Sequence, residues 1–144
     1  MKLEEIQTLW ERDAQIDRTE LGEESLRIPQ LHSKYYKIFS QERLTLRKME
    51  NDHKQLFRDK FEWYAGSISQ ETLNEYSWEP NPLKILRTDI PMHMEADKDL
   101  QLSALKIEMQ REKADFTEAI IKSLTARGFN IKSAIEWERF KMGA

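Results

Sequence analysis

Residues 31–64 read LHSKYYKIFSQERLTLRKMENDHKQLFRDKFEWY, without a glycine or proline. Leu31, Tyr35, Ile38 with Phe39, Leu46, Met49, His53, Leu56 with Phe57, and Tyr64 recur with a period near 3.5. That spacing lines one face of a helix that packs against another helix. Pro29 suits the first turn of such a helix and Gly66 its end. The reading predicts a principal helix that starts near Arg27–Gln30, or else is kinked there, and runs to Ala65, a rod of roughly 50 Å.

Outward from this rod the pattern stays helical. Leu3, Ile6, Leu9 and Trp10 form one stripe of a short amphipathic helix over 3–14. Asp17-Arg18-Thr19-Glu20 reads as a break, with Asp17 or Thr19 able to cap the next helix. After the rod, Gly66, Pro80, Pro82 and Pro91 mark a long connector with one turn of helix at 70–76. A third helix is expected over Asp97–Ala126, with the face Leu102, Leu105, Met109, Phe116, Ile120 and Leu124. Arg127-Gly128-Phe129 reads as its stop, with Gly128 left-handed and Phe129 reaching back to Leu124. A short last helix over Lys132–Lys141 would carry Ile131, Ala134 and Ile135 on a face that Trp137 cannot share.

Composition agrees with an all-α fold: a long antiparallel helical hairpin with short N- and C-terminal helices. The 144 residues hold four Gly and four Pro, too few for a chain of hairpins, and suffice for one domain. Of these, 34% are charged and 39% hydrophobic. So polar a chain buries surface poorly alone, and self-association is expected. Charge divides the domain. Residues 1–26 form an acidic head of net −5, and residues 27–61 of the long basic helix carry net +5. Residues 62–83 carry net −4 and open the connector, which extends to about residue 96; the helices beyond it, to residue 144, would pack and oligomerise. The N-terminus bears acids where a leader needs an apolar run, and no stretch approaches the ~20 apolar residues of a membrane span. The expected location is the cytoplasm, without membrane contact.

Chemistry-bearing motifs are scarce. No cysteine is present, which removes disulfides, thiolate nucleophiles and Cys-based metal sites. His93, Glu95, Asp97 and Asp99 cluster, but Leu102 stands where a calcium loop turns on glycine, so they read as acids leading into a helix. His32 and His53 read as residues of the rod. No nucleophile elbow, Walker loop or dinucleotide fingerprint occurs. The expectation is a binding protein with no catalytic residue, metal or cofactor. Lys54 to Tyr64 offers two readings. Lys54, Arg58 and Lys60 with Phe61, Trp63 and Tyr64 interleave bases and aromatics, as single-strand binders do. Spacing alone favours the other reading, a solvated charged face over core aromatics. On a helix, Arg58 and Lys60 diverge by about 200°.

The opening Met1-Lys2-Leu3-Glu4-Glu5-Ile6-Gln7, the stretch Ile16–Leu21, the segment Leu56–Gly66, Ala96-Asp97-Lys98-Asp99 and the run Ile120–Lys132 together resemble the UvsY family of recombination mediators of T4-like phages. The most specific piece is Arg127-Gly128-Phe129-Asn130-Ile131-Lys132. The resemblance implies a protein that binds single-stranded DNA. It further implies loading of a RecA-like phage recombinase onto strands covered by single-stranded-DNA-binding protein, in the cytoplasm of the infected host. Closed homo-oligomeric rings, hexamers or heptamers, come with it. It puts the DNA-binding bases on Arg58 and Lys60, here with Lys and Arg exchanged and Asp59 between them; Lys54, Trp63 and Tyr64 complete that candidate site. An acid at Asp59 would lower the local potential. The head residues Leu3, Ile6, Leu9 and Trp10 are candidates to dock the recombinase, and Phe129, Ile131, Ile135 and Trp137 to close the ring. The alternative is a coiled-coil scaffold or adaptor that binds only protein.

Overall fold

The structure is a computed structural model that describes residues 1–143. Among the described residues five α-helices follow one another: α1 (Leu3–Asp13), α2 (Leu21–Ala65), α3 (Gln70–Tyr76), α4 (Ile90–Glu95) and α5 (Lys98–Lys141), with a 3-10 turn over Arg87–Asp89. No strand occurs among the described residues. The chain divides into two compact units, Met1–Thr45 with Gln110 onward, and Leu46–Met109.

In the first unit Ile6, Leu31, Tyr35, Ile120 and Leu124 form the core, joined by Leu9, Trp10, Ile38, Phe116 and Ile121. The stripe of α1 therefore packs on the pair formed by α2 and α5, and Trp10 meets Tyr35 edge-on at 5.4 Å. Glu24 faces Arg127, and Glu42 accepts from Gln110 at 2.6 Å. Numbers rise along α2 as they fall along α5, so the pair is antiparallel.

The second unit shows the same sense: His53 hydrogen-bonds Ser103 at 2.9 Å, and Lys60 reaches Asp97. Its core is Ile90, Met94 and Leu100 with Leu56, Phe61, Tyr64 and Ile85. Gly66 ends α2 at φ 76°, and the Ser67 amide donates back to the Glu62 carbonyl, a glycine-dependent termination.

Two expected boundaries are corrected. Helix α2 begins at Leu21, so Pro29 lies inside it. Asp17 explains the early start: its carboxylate accepts from the Thr19 amide and hydroxyl, and Glu20 and Glu24 continue the turn into helix. An internal proline costs about 3 kcal/mol, which the burial of Leu31 and Tyr35 just beyond it offsets. The second correction is that α5 runs straight through Arg127-Gly128-Phe129. Arg127 is buried. It donates to the carbonyls of Asp13 at 2.7 Å and Gln15 at 3.0 Å, and to the Glu24 carboxylate at 2.8 Å. These charge-assisted bonds outweigh the ~1 kcal/mol that glycine costs in a helix. Phe129 does not reach back to Leu124 and is 72% exposed.

The face of α5 also differs from expectation. Phe116, Ile120 and Leu124 pack inward, but Leu102, Leu105 and Met109 are exposed. The buried positions are Leu100, Ile107, Gln110, Ala114, Thr117, Ile120, Leu124, Arg127 and Ile131, spaced mostly three and four apart, with polar members. Gln110 is satisfied by Glu42, and Thr117 by the Lys113 carbonyl at 2.7 Å. Arg127→Met, which leaves Glu24 buried without its main partner, lowers stability by about 3 kcal/mol. Urea unfolding followed by circular dichroism checks this; an unchanged midpoint contradicts the anchoring role.

Candidate nucleic-acid interface

The bases of the Lys54–Tyr64 segment separate by helical phase. Lys54 and Arg58, four residues apart, share a face of α2. Lys54 is exposed and has no ion pair among the described residues. The Arg58 side chain is 75% exposed and touches Glu62 only loosely, Nε to Oε1 at 3.4 Å. Arg47 lies seven residues before Lys54 on the same face and is also exposed. Sequence reasoning passed over Arg47, although the spacing 47, 54, 58 marks it.

Lys60 is placed differently. Its ammonium lies 2.8 Å from Asp99 and 3.2 Å from Asp97, with the rings of Trp78 and Trp63 at 4.4 and 5.6 Å. The residue is 8% exposed. A charge so enclosed is already neutralised, and drawing it out would leave Asp97 buried without its cation. Arg58 and Lys60 are thus not brought together; one faces water and the other holds the unit closed.

Asp97 organises that enclosure. It caps α5 by accepting from the Leu100 amide at 3.0 Å, and it also accepts from the Tyr64 hydroxyl at 2.6 Å. Burial opposes its charge, but the hydrogen bonds from Tyr64, Leu100 and Lys60 outweigh that and hold the carboxyl below the usual range. Burial and the same contact push the Tyr64 hydroxyl well up.

Asp59 does not stand between the two bases as a free acid. It is buried and accepts from the Tyr76 hydroxyl at 2.6 Å and from Gln55 at 3.0 Å. Its charge is directed at α3, a quarter-turn or so from Arg58. The aromatics are half engaged. Trp63 donates to the Glu79 carbonyl at 2.7 Å, and Tyr64 lies against His93 with centroids 5.9 Å apart. Both rings are partly exposed. Tyr76 stacks on Trp78 at 4.0 Å.

The docking and ring-closing candidates fall on both sides of the surface. Ile6 is fully buried, with Leu9 and Trp10 packed on its core and Leu3 half-buried, so the stripe offered for recombinase docking lies inside the first unit. Ile131 is buried and Ile135 half-buried, whereas Phe129 and Trp137 are exposed. Trp137 stacks on Phe140 at 5.5 Å. No group of three or more possible metal ligands occurs among the described residues, and no described helix is long and apolar enough to cross a membrane.

These features define an all-helical protein whose second unit presents an open row of cations. A family model described as "Recombination, repair and ssDNA binding protein UvsY" matches residues 9–144, and the chain belongs to that family. It is 23% identical over 143 residues to recombination protein uvsY of Enterobacteria phage T4, covering 99% of each chain. Crystal structures of the bacteriophage T4 recombination mediator protein UvsY share its fold. One superposes with a TM-score of 0.83 at 22% identity, covering 97% of this chain and 99% of that one. Another gives 0.80 at 20% identity, covering 95% and 98%.

The enclosure predicts an alkaline transition. Burial and the hydrogen bond to Asp59 push Tyr76 up to about 12. Its folded-state value exceeds the ordinary 10, so its stabilisation is complete below pH 10 and is lost as pH rises from 10 to about 12. Tyr76→Phe removes this loss from the alkaline limb of a denaturation series. A tyrosine absorbance titration that finds residue 76 ionising near 10 contradicts the contact.

Proposed function

We propose that this chain is a single-stranded-DNA-binding recombination mediator. It loads a RecA-like phage recombinase onto strands covered by single-stranded-DNA-binding protein, in recombination, repair and recombination-dependent replication. The observation that carries the reading is membership of the UvsY family across nearly the whole chain. It acts by binding, with no chemistry of its own, in the cytoplasm of the infected bacterium.

The row Arg47, Lys54 and Arg58 supports the DNA-binding part. These cations are exposed and spaced along one helix face, so they can follow a phosphate backbone; the partly exposed rings of Trp63 and Tyr64 lie about 140° and 120° round the helix from Arg58, toward the end of α2, where a strand leaving the row could stack. Lys60 takes part by holding Trp63 and the start of α5 in place. Each row is a modest site, and gathering copies in a ring multiplies effective concentration until weak contacts add up to a firm grip. Exposed Phe129, Trp137, Phe140 and Met142 on and after the last turns of α5 are apolar surface suited to that assembly, with Ile131 and Ile135 behind them. Recombinase docking falls to the acidic head, residues 1–26. With Ile6 buried, it uses the outward face of α1 at Glu4, Glu5 and Thr8 before it uses Leu3, Leu9 or Trp10.

Fluorescence anisotropy on an oligo-dT of about thirty nucleotides tests the reading. Affinity falls as salt rises, with a logarithmic slope near −0.7 per phosphate contacted. Reversing charge at Lys54 and Arg58 together flattens the slope by at least about 1.4 per subunit engaged and weakens binding tenfold or more, with the sedimentation mass unchanged. A coiled-coil scaffold that binds only protein would ignore the oligonucleotide even in dilute buffer.

A further inference from the structure

The first unit carries an exposed ladder of rings that neither its core nor the Arg47–Arg58 row uses. On α2, His32, Tyr36, Phe39 and Arg43 succeed one another at spacings of four, three and four, which places them on one face. His32 and Tyr36 lie nearly parallel, 13° apart with centroids at 5.9 Å, and Tyr36 meets Phe39 edge-on at 6.1 Å. The guanidinium of Arg43 covers the Phe39 ring at 5.0 Å.

This ladder is not part of the core. Tyr35 is fully buried, whereas its neighbour Tyr36 is 46% exposed; His32 and Arg43 are exposed and Phe39 is half-buried. Arg43 has no carboxylate within ion-pair distance among the described residues. The one acid between His32 and Arg43 is Glu42, which is buried against Gln110 and Lys113. Between the rungs on the open side stand Ser33 and Lys37 rather than aliphatic residues. Between its rungs the face therefore offers ring surface and unpaired positive charge, while the exposed aliphatic side chains Leu26 and Leu44 flank the ladder at its two ends. A guanidinium lying over a ring still has N–H groups to offer an anion and has less side-chain freedom left to lose.

We propose that this ladder is a second stacking surface for unpaired nucleic acid, with bases against Tyr36 and His32 and a phosphate at Arg43. It rests on the proposed single-strand binding and uses none of the residues assigned to it. Stacking on exposed rings is tolerant of base identity, so the surface would add grip without adding sequence preference.

The test compares full-length wild type, Tyr36→Ala, Tyr36→Phe and Arg43→Ala on oligo-dT and on an abasic strand of equal length. Tyr36→Ala weakens oligo-dT binding at least about fivefold and leaves the salt slope and the abasic affinity as they were. Tyr36→Phe binds like wild type. Arg43→Ala flattens the slope by about 0.7 per subunit engaged on both strands. Equal oligo-dT affinity for wild type and Tyr36→Ala overturns the proposal. So does an equal loss on both strands, which would place Tyr36 in folding rather than stacking. A changed sedimentation mass of DNA-free Tyr36→Ala overturns it in favour of a second copy covering this face. Wild type that ignores both strands defeats the underlying single-strand-binding reading itself.

Discussion

Arg127 reaches from α5 to two carbonyls at the end of α1 and to a carboxylate on α2, and the first unit is arranged around that reach. A guanidinium withdrawn from water is tolerated only where donors meet acceptors in good geometry. Here Asp13 and Gln15 supply backbone oxygens and Glu24 a charge. Asp13 in turn accepts from Lys34 at 2.6 Å and Tyr35 at 2.8 Å. Burial works against its ionised form, but these two hydrogen bonds prevail and keep its carboxyl below the ordinary range. One polar network thus ties three helices where a chain with a richer apolar composition would use aliphatic packing. It also carries α5 past a glycine that would otherwise end it.

The second unit repeats the device with different residues. Asp97 caps α5, receives the Tyr64 hydroxyl and pairs with Lys60. Asp59 ties α2 to α3 through Tyr76. Both units therefore commit charged groups to structure, which is how a chain with 34% charged residues closes at all. The division matters for function, because a base held between two carboxylates is lost to a phosphate. What remains free on α2 is a stripe rather than a cluster, and a stripe suits a flexible polyanion.

Much of the architecture was legible. The seam Leu31, Tyr35, Ile38 lies in the core, the stripe of α1 packs on it, and the turn of helix at 70–76 is present as α3. Trp137 is exposed where Ile131 is buried, so the two do not share a face. The seam of α5 is not legible in the sequence, because Gln110 and Thr117 interrupt its apolar spacing; polar residues enter a seam when a partner on the opposite helix or the preceding turn satisfies them. Local glycine and proline signals failed at Gly128 and Pro29 for a related reason: each costs a few kcal/mol at most, less than the contacts on either side supply.

Residue order by itself determined the helical class, the pairing of two long segments and the family, since these rest on periodicity, composition and motif order along the whole chain. Which charges are structural and which are free was decided only in three dimensions. Arg58 and Lys60 are indistinguishable as letters, two positions apart in one basic run. A helix turns them about 200° from each other, and only the arrival of Asp97, Asp99 and Trp78 from distant parts of the sequence encloses the second while the first stays in water.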